Sequence, residues 1–147
     1  MRMSTKGRYG LRAMLDLALS SGGDHVALNT IAERQNISSN YLEQVFSILR
    51  KAGLVNSVKG AQGGYVLADS LNRITVGQIL RALEGDLVVA GDSADSESKN
   101  PVEYCLKKQV WDQINESINS VVDAITLEDL LIEYKKMQGH MSLMFYI

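Results

Sequence analysis

With 147 residues, 46% hydrophobic and 22% charged side chains, the chain has the make-up of a globular protein that can bury a core without staples. A single cysteine, Cys105, excludes an internal disulfide framework and a multi-cysteine zinc site. The net charge of −2 conceals an asymmetry: residues 1–85 carry ten Lys/Arg against six Asp/Glu, and residues 86–147 carry five against eleven. A basic front end of this kind suits a polyanionic partner, and the acidic remainder does not.

A first helix is expected from about Thr5 to Ser20, capped by Ser4 or Thr5, because Leu11, Met14, Leu15 and Ala18 fall at i, i+3, i+4, i+7. "SGGDH" at 21–25 stops it. "LNTIAERQN" (28–36) reads as a short second helix in which Thr30 and Glu33 have capping-box spacing. "SSNYLEQVFSILRKAG" (38–53) is the third, with Leu42, Val45, Phe46, Leu49 and Ala52 as its core stripe and Gly53 as its stop. "LVNSVKGAQGGYVLA" alternates and then turns on glycines, which predicts a β-hairpin whose glycines supply positive φ at the tip. "TVGQILRALEG" (75–85) is a capped amphipathic helix on Val76, Ile79, Leu80 and Leu83.

"GDSADSESKNP" (91–101) is polar and acidic and reads as a mobile loop. Pro101 then opens a long helix, since a missing N–H is harmless in a first turn. Leu106, Val110, Ile114, Ile118, Val121 and Ile125 form one stripe along it, more apolar surface than one small domain covers, so a homodimer is expected through residues 102–125. "TLEDLLIEYKKM" (126–137) restarts as a helix with a Thr126–Asp129 capping box, and an apolar tail follows Gly139.

Three short helices followed by a glycine-tipped hairpin is the order of a winged helix-turn-helix, in which the second helix of the turn enters the major groove. The expected fold is therefore mainly α with a small β-hairpin wing. Residues 1–85 would form the DNA-binding domain, 86–101 a flexible acidic loop, and 102–147 the dimerisation helix with a C-terminal helix and tail. The outward face of the third helix holds Asn40, Glu43, Gln44, Ser47 and Lys51. Amides there can pair with adenine, and the glutamate can accept from cytosine N4. Ser38, Ser39 and Asn40 open that helix, where N–H groups suit phosphate. In the wing, Gly60, Gly63 and Gly64 lack side chains and permit close approach to a sugar-phosphate rail. Lys59 would neutralise charge there, and Gln62 would probe the groove.

These stretches are similar to the Rrf2 family of bacterial transcription factors. The resemblance rests on "STKGRYGLRAM" (4–14), "IAERQNISSNYLEQVFSILRKAGLV" (31–55), "SVKGAQGGYVLA" (57–68), "ITVGQILRALEG" (74–85) and "ITLEDLL" (125–131). It implies a winged-helix DNA-binding domain and a long helix crossing its symmetry mate. It also implies DNA contacts at Lys6, Arg8, Tyr9, Ser38, Ser39, Asn40, Tyr41, Glu43, Gln44 and Arg50, and along the wing from Lys59 to Tyr65. Tyr9 and Tyr41 read equally well as core residues with a polar tip.

Members of the family that carry an iron–sulfur cluster bear three cysteines and a histidine near the loop before the long helix. Here "EYCLKKQVW" keeps only Cys105, and one thiolate does not hold a cluster that needs about four ligands, so no cofactor and no metal site is expected. Cys105 reads as a half-buried structural thiol, with a redox switch as the alternative. The closer resemblance is to the cysteine-metabolism repressors of the family, which also lack the cluster cysteines and end in a short apolar peptide. It implies docking of Phe145, Tyr146 and Ile147 on cysteine synthase; the alternative is that this tail packs on its own dimer.

An enzyme is not expected: "VKGAQGG" lacks the Gly-Lys-Ser/Thr ending of a phosphate loop, and with two histidines the acid–base inventory is thin. No early apolar run resembles a signal peptide and none is long enough to span a bilayer, so a cytoplasmic protein without membrane contact is expected. A winged-helix protein-interaction module is the competing reading of the fold.

Overall fold

The computed structural model describes residues 2–20, 24–89 and 100–146. The elements run α1 (Thr5–Ser20), α2 (Leu28–Gln35), α3 (Ser39–Lys51), β1 (Val55–Val58), β2 (Gly64–Leu67), α4 (Val76–Glu84), α5 (Pro101–Leu106), a π-helical turn (Lys107–Trp111), α6 (Asp112–Ala124) and α7 (Leu127–Tyr146). The fold is thus mainly helical with one antiparallel hairpin, as the patterning predicts. The acidic stretch at 91–99 and the terminal Ile147 lie outside the described residues.

One core gathers the apolar faces of α1 to α4, with Met14, Leu17, Ile31, Leu42, Phe46, Leu49, Val55, Ile74 and Ile79 fully buried. Leu127 at the start of α7 joins the same cluster. The stripe expected on α3 is buried except for Ala52, which is exposed because the helix has already ended there. Gly53 follows at φ +80°, and the Gly53 and Leu54 N–H groups donate back to Arg50 and Leu49 carbonyls, satisfying the helix end.

Helix termini are capped with one exception to the sequence reading. Ser4 accepts from the Gly7 N–H, Ser38 from the Tyr41 N–H, and Thr75 and Gln78 form a reciprocal box. The Thr126–Asp129 box also forms, at 3.0 and 3.1 Å. The expected Thr30–Glu33 box does not. Helix α2 is already under way at Leu28, with extended Ala27 as its cap, so Thr30 sits inside the first turn rather than before it. Asn36 closes α2 in the left-handed region (φ 54°, ψ 49°).

Helix α1 meets α4 closely at two glycines. A Cβ on Gly10 would lie 2.1 Å from Leu83 Cδ1, and one on Gly7 would lie 2.3 Å from Glu84 Oε1. That carboxylate accepts from the N–H groups of Ser4 (3.2 Å) and Gly7 (3.0 Å), placing negative charge at the positive end of the α1 dipole.

The long helical segment is held to α4 by polar as well as apolar contacts. Arg81 binds Asp123 through two nitrogens at 2.6 and 2.8 Å and Asn119 at 2.6 Å. Those hydrogen bonds hold the Asp123 carboxyl below its ordinary value and push Arg81 up. Asn119 donates to the Leu87 carbonyl, and the Val89 N–H donates to Asn115. Beneath them Ile118, Val122 and Ile125 pack on a small cluster of Val76, Leu80 and Leu87.

The stripe expected to run unbroken from Leu106 to Ile125 is therefore divided. Ile118 and Ile125 cover this chain's own cluster, whereas Leu106, Ile114 and Val121 are exposed. The π turn matters to this layout. Steps of four residues advance about 40° too far on a 3.6-residue helix, and a wider turn absorbs part of that drift. Finally, α7 does not stop near Met137: it runs through Gly139 to Tyr146. One glycine costs a helix about 1 kcal/mol, which a run of good helix formers offsets.

Candidate nucleic-acid interface

Helices α2 and α3 are joined by a three-residue turn, Asn36–Ile37–Ser38, whose geometry is set by bonds on both sides. The Ile37 N–H donates to the Ala32 carbonyl at 3.0 Å, and the Ile37 side chain is buried. Phe46 and Leu49 then fix one face of α3 in the core, so the opposite face must point outward. Asn40, Glu43 and Gln44 are exposed there and, with Ser47 and Ile48, line an open groove along the helix. The sequence-predicted readout residues are thus brought together on one surface.

At the start of α3, the Ser39 hydroxyl donates to Asn29 Oδ1 at 3.0 Å, tying α3 to α2. Ser38 is occupied as an acceptor by its capping bond and retains its O–H as a donor. Tyr41 is half-buried and meets Tyr9 of α1 edge to face, with ring centroids 6.0 Å apart. Both rings pack on the core, and the Arg12 guanidinium lies 5.0 Å from the Tyr9 centroid. Lys6, Arg8 and Arg50 are exposed cations.

The hairpin pairs Val55 with Leu67 through to Val58 with Gly64. Its tip carries exposed Lys59, Gly60, Ala61 and Gln62. Of the three glycines expected to turn the tip, only Gly60 has positive φ, at 116°. Gly63 and Gly64 are required by the protein's own backbone. A Cβ on Gly63 would lie 2.2 Å from the Val58 carbonyl oxygen, and one on Gly64 the same distance from that of Val26. Their lack of side chains is therefore accounted for without any outside rail.

Sequence reasoning missed why Gly64 is so confined. Val26 and Tyr65 exchange two backbone hydrogen bonds of 2.9 Å, a bridge that fastens β2 to the segment before α2. The Tyr65 ring stacks on Phe46 at 4.6 Å and 23°, so its place is in the core's margin rather than at the wing tip. The His25 ring also hydrogen-bonds the Gln62 carbonyl, bracing the tip from the same side.

A second feature missed from sequence lies behind the turn. Asp16 of α1 is only 4% exposed, yet carries a charge-capable carboxyl. Arg34 of α2 meets it bidentately at 2.7 and 3.1 Å, and Gln35 donates at 2.7 Å. Arg34 also donates to Ser20 at 2.6 Å, and hydrogen bonding to Asp16 pushes its pKa up. This network locks the end of α2, and hence the turn, to α1. An aspartate set between Leu15 and Leu17 on α1 was the available signal.

A three-helix unit with an outward polar recognition helix and a bracketed hairpin defines a winged helix-turn-helix DNA-binding transcription regulator. Residues 3–133 match the model of the Rrf2 family, described as iron-dependent transcriptional regulators, and the chain belongs to that family. It is similar to the regulator CymR of Bacillus subtilis, with 44% identity over 130 residues, covering 88% of this chain and 89% of that one. The solved structure of that protein, described as the global cysteine regulator, matches with a TM-score of 0.77 and 42% identity, covering 90% of this chain and 98% of that one. The chain is also similar to IscR of Pectobacterium atrosepticum (44% identity over 131 residues, covering 89% and 79%). The structure of T. potens IscR matches with a TM-score of 0.75 and 46% identity, covering 94% and 91%.

Whether this chain's residues fit the iron of the family's description is decided by the donors. Cys105 is the sole cysteine, and it is exposed in α5, not half-buried as the sequence reading had it. Among the described residues no three His, Cys, Asp or Glu side chains group to hold a metal ion. A thiolate-held cluster needs about four ligands, and the described donor set does not fit one.

Proposed function

We propose that the protein is a homodimeric repressor that reads a pseudo-palindromic operator in double-stranded DNA, with control of cysteine or sulfur genes as its role. The exposed Asn40–Glu43–Gln44 face on a buried-backed α3 carries this reading, and the basic balance of residues 1–85 supports it. Two such helices related by a dyad would enter successive major grooves about one helical turn apart. Gln44→Ala is expected to relax preference at particular bases, by about 1–3 kcal/mol for a bidentate contact. Lys59→Ala should instead weaken all sequences alike and lower the salt slope by about one. Salt-titrated binding to a randomised operator library checks both. A Gln44→Ala protein with unchanged base preferences would remove direct readout from that position, and salt-insensitive binding of the wild type would favour a protein-interaction module.

Dimerisation would use the part of the long helix that this chain leaves uncovered. Ile114 and Val121 are 39% and 59% exposed, and Gln109, Val110, Gln113 and Ser117 border the same open face. Val121→Glu is therefore the informative change, because Val121 is the more exposed, whereas Ile118 borders the same face but also packs on its own chain's cluster. Its sedimentation coefficient is expected to fall to that of a single chain. An unchanged value would place the dimer contact elsewhere.

The likeness to the cysteine regulator and the poor fit of the described donors to a cluster support sensing without iron–sulfur chemistry. The cysteine signal would arrive through a partner, cysteine synthase, captured by Phe145, Tyr146 and Ile147 docking as an extended peptide. Docking in extended form would require the last turn of α7 to unwind, a small cost at a helix terminus. Deleting Tyr146 and Ile147 is expected to abolish synthase binding in calorimetry; equal affinity with and without them would rule the tail out. Exposed Cys105 supplies a second input to test, since thiol oxidation needs access.

A further inference from the structure

Behind the recognition unit, α1, the end of α2 and the middle of α7 border an open cleft of about 530 Å³. That is within the range of small-molecule sites. One wall is apolar, made by Leu15 and Leu19 of α1 and the ring of Tyr134 of α7. The other is polar, made by Arg12, Asp16 and Arg34. No step in DNA reading uses this cleft.

Charge selects the ligand. Two guanidinium groups face one carboxylate, so the lining carries a net positive charge even after the Asp16–Arg34 pair is formed. Asp16 has its bonds from Arg34, Gln35 and Ser20 and so has less need of a cation. Arg12, in contrast, spends one of its five N–H groups on the Gln35 carbonyl. The described bonds of Arg34 use its Nε and Nη2 donors, leaving Nη1. Unspent guanidinium donors beside an apolar wall fit a planar anion with a short hydrocarbon body.

We infer that this cleft binds a small monocarboxylate, its head on Arg12 and Arg34 and its tail against Leu15, Leu19 and Tyr134. The consequence for DNA rests on the regulator reading proposed above. A ligand drawing on Arg12 and Arg34 engages two of the side chains that, with Gln35, hold α2 to α1, and so biases the setting of α3. By reciprocity, operator DNA would change the ligand's affinity by the same factor. Binding itself is independent of that reading.

The test uses hexanoate as probe on the full chain, followed by NMR of labelled leucine methyl and tyrosine ring signals without DNA. Saturable shifts are expected at Leu15, Leu19 and Tyr134, with hexylamine at equal concentration producing none. Arg12→Gln, at an exposed position, should weaken hexanoate about tenfold or more, as loss of a charged hydrogen bond does. The inference is overturned if hexanoate gives no saturable shifts, if hexylamine binds equally well, or if a folded Arg12→Gln protein binds as the wild type does. A site that binds hexanoate with operator affinity unmoved would overturn the coupling while leaving DNA recognition intact.

Discussion

Replacing Arg34 with alanine is expected to lower the unfolding free energy by about 2–4 kcal/mol, measured by urea denaturation at neutral pH. The reason is the asymmetry of its ion pair. The Arg34 side chain is 44% exposed and Asp16 4%, so removing the arginine strands a buried carboxylate with only Gln35 and Ser20 as donors. Asp16→Asn should cost less, because the arginine left behind can be hydrated and the amide keeps a hydrogen-bonding group in place. If Arg34→Ala lies within about 0.5 kcal/mol of wild type, water already solvates Asp16 and the network is not what sets α2.

Gly64→Ala is the other change of large expected effect, about 2–4 kcal/mol from overpacking plus weakened hydrogen bonds. The added Cβ would sit 2.2 Å from the Val26 oxygen, 2.5 Å from its carbonyl carbon and 2.9 Å from the Ala27 nitrogen. All three are backbone atoms, so no side chain can swing aside. The Val26–Tyr65 bridge must open, and amide exchange at those two residues should accelerate far more than at Phe46. Gly60→Ala offers the contrast: its Cβ would meet nothing within 4 Å, and its cost would come only from the positive φ. Equal stability of Gly64→Ala and wild type would mean that the bridge does not hold the wing.

Most helices could be read from the chain because each buries one stripe, and a stripe leaves a period. Leu42, Val45, Phe46 and Leu49 announce α3, and Val76, Ile79, Leu80 and Leu83 announce α4. The same logic found the outward face of α3, since polar residues opposite a core stripe have nowhere else to point. It failed where a contact joins residues far apart in sequence. Nothing local in Asp16 points to Arg34, nor anything in Val26 to Tyr65. Pattern alone also misled at Thr30, where capping-box spacing occurs inside a helix already begun, and at Gly139, where one unfavourable residue was taken for an end. The division of the long helix between Ile118 and Val121 depends on what α4 offers it, which no stripe reveals.

The way the wing is fastened separates two kinds of positions within seven residues. Gly63, Gly64 and Tyr65 answer to the protein's interior: backbone oxygens confine the first two, and the Phe46 ring holds the third. Lys59, Ala61 and Gln62 have exposed side chains around a turn that is held through its main chain, with the His25 ring bonded to the Gln62 carbonyl. Substitutions at those three tip positions can therefore accumulate without a folding penalty, so the wing's outer surface is free to vary while the scaffold stays the same.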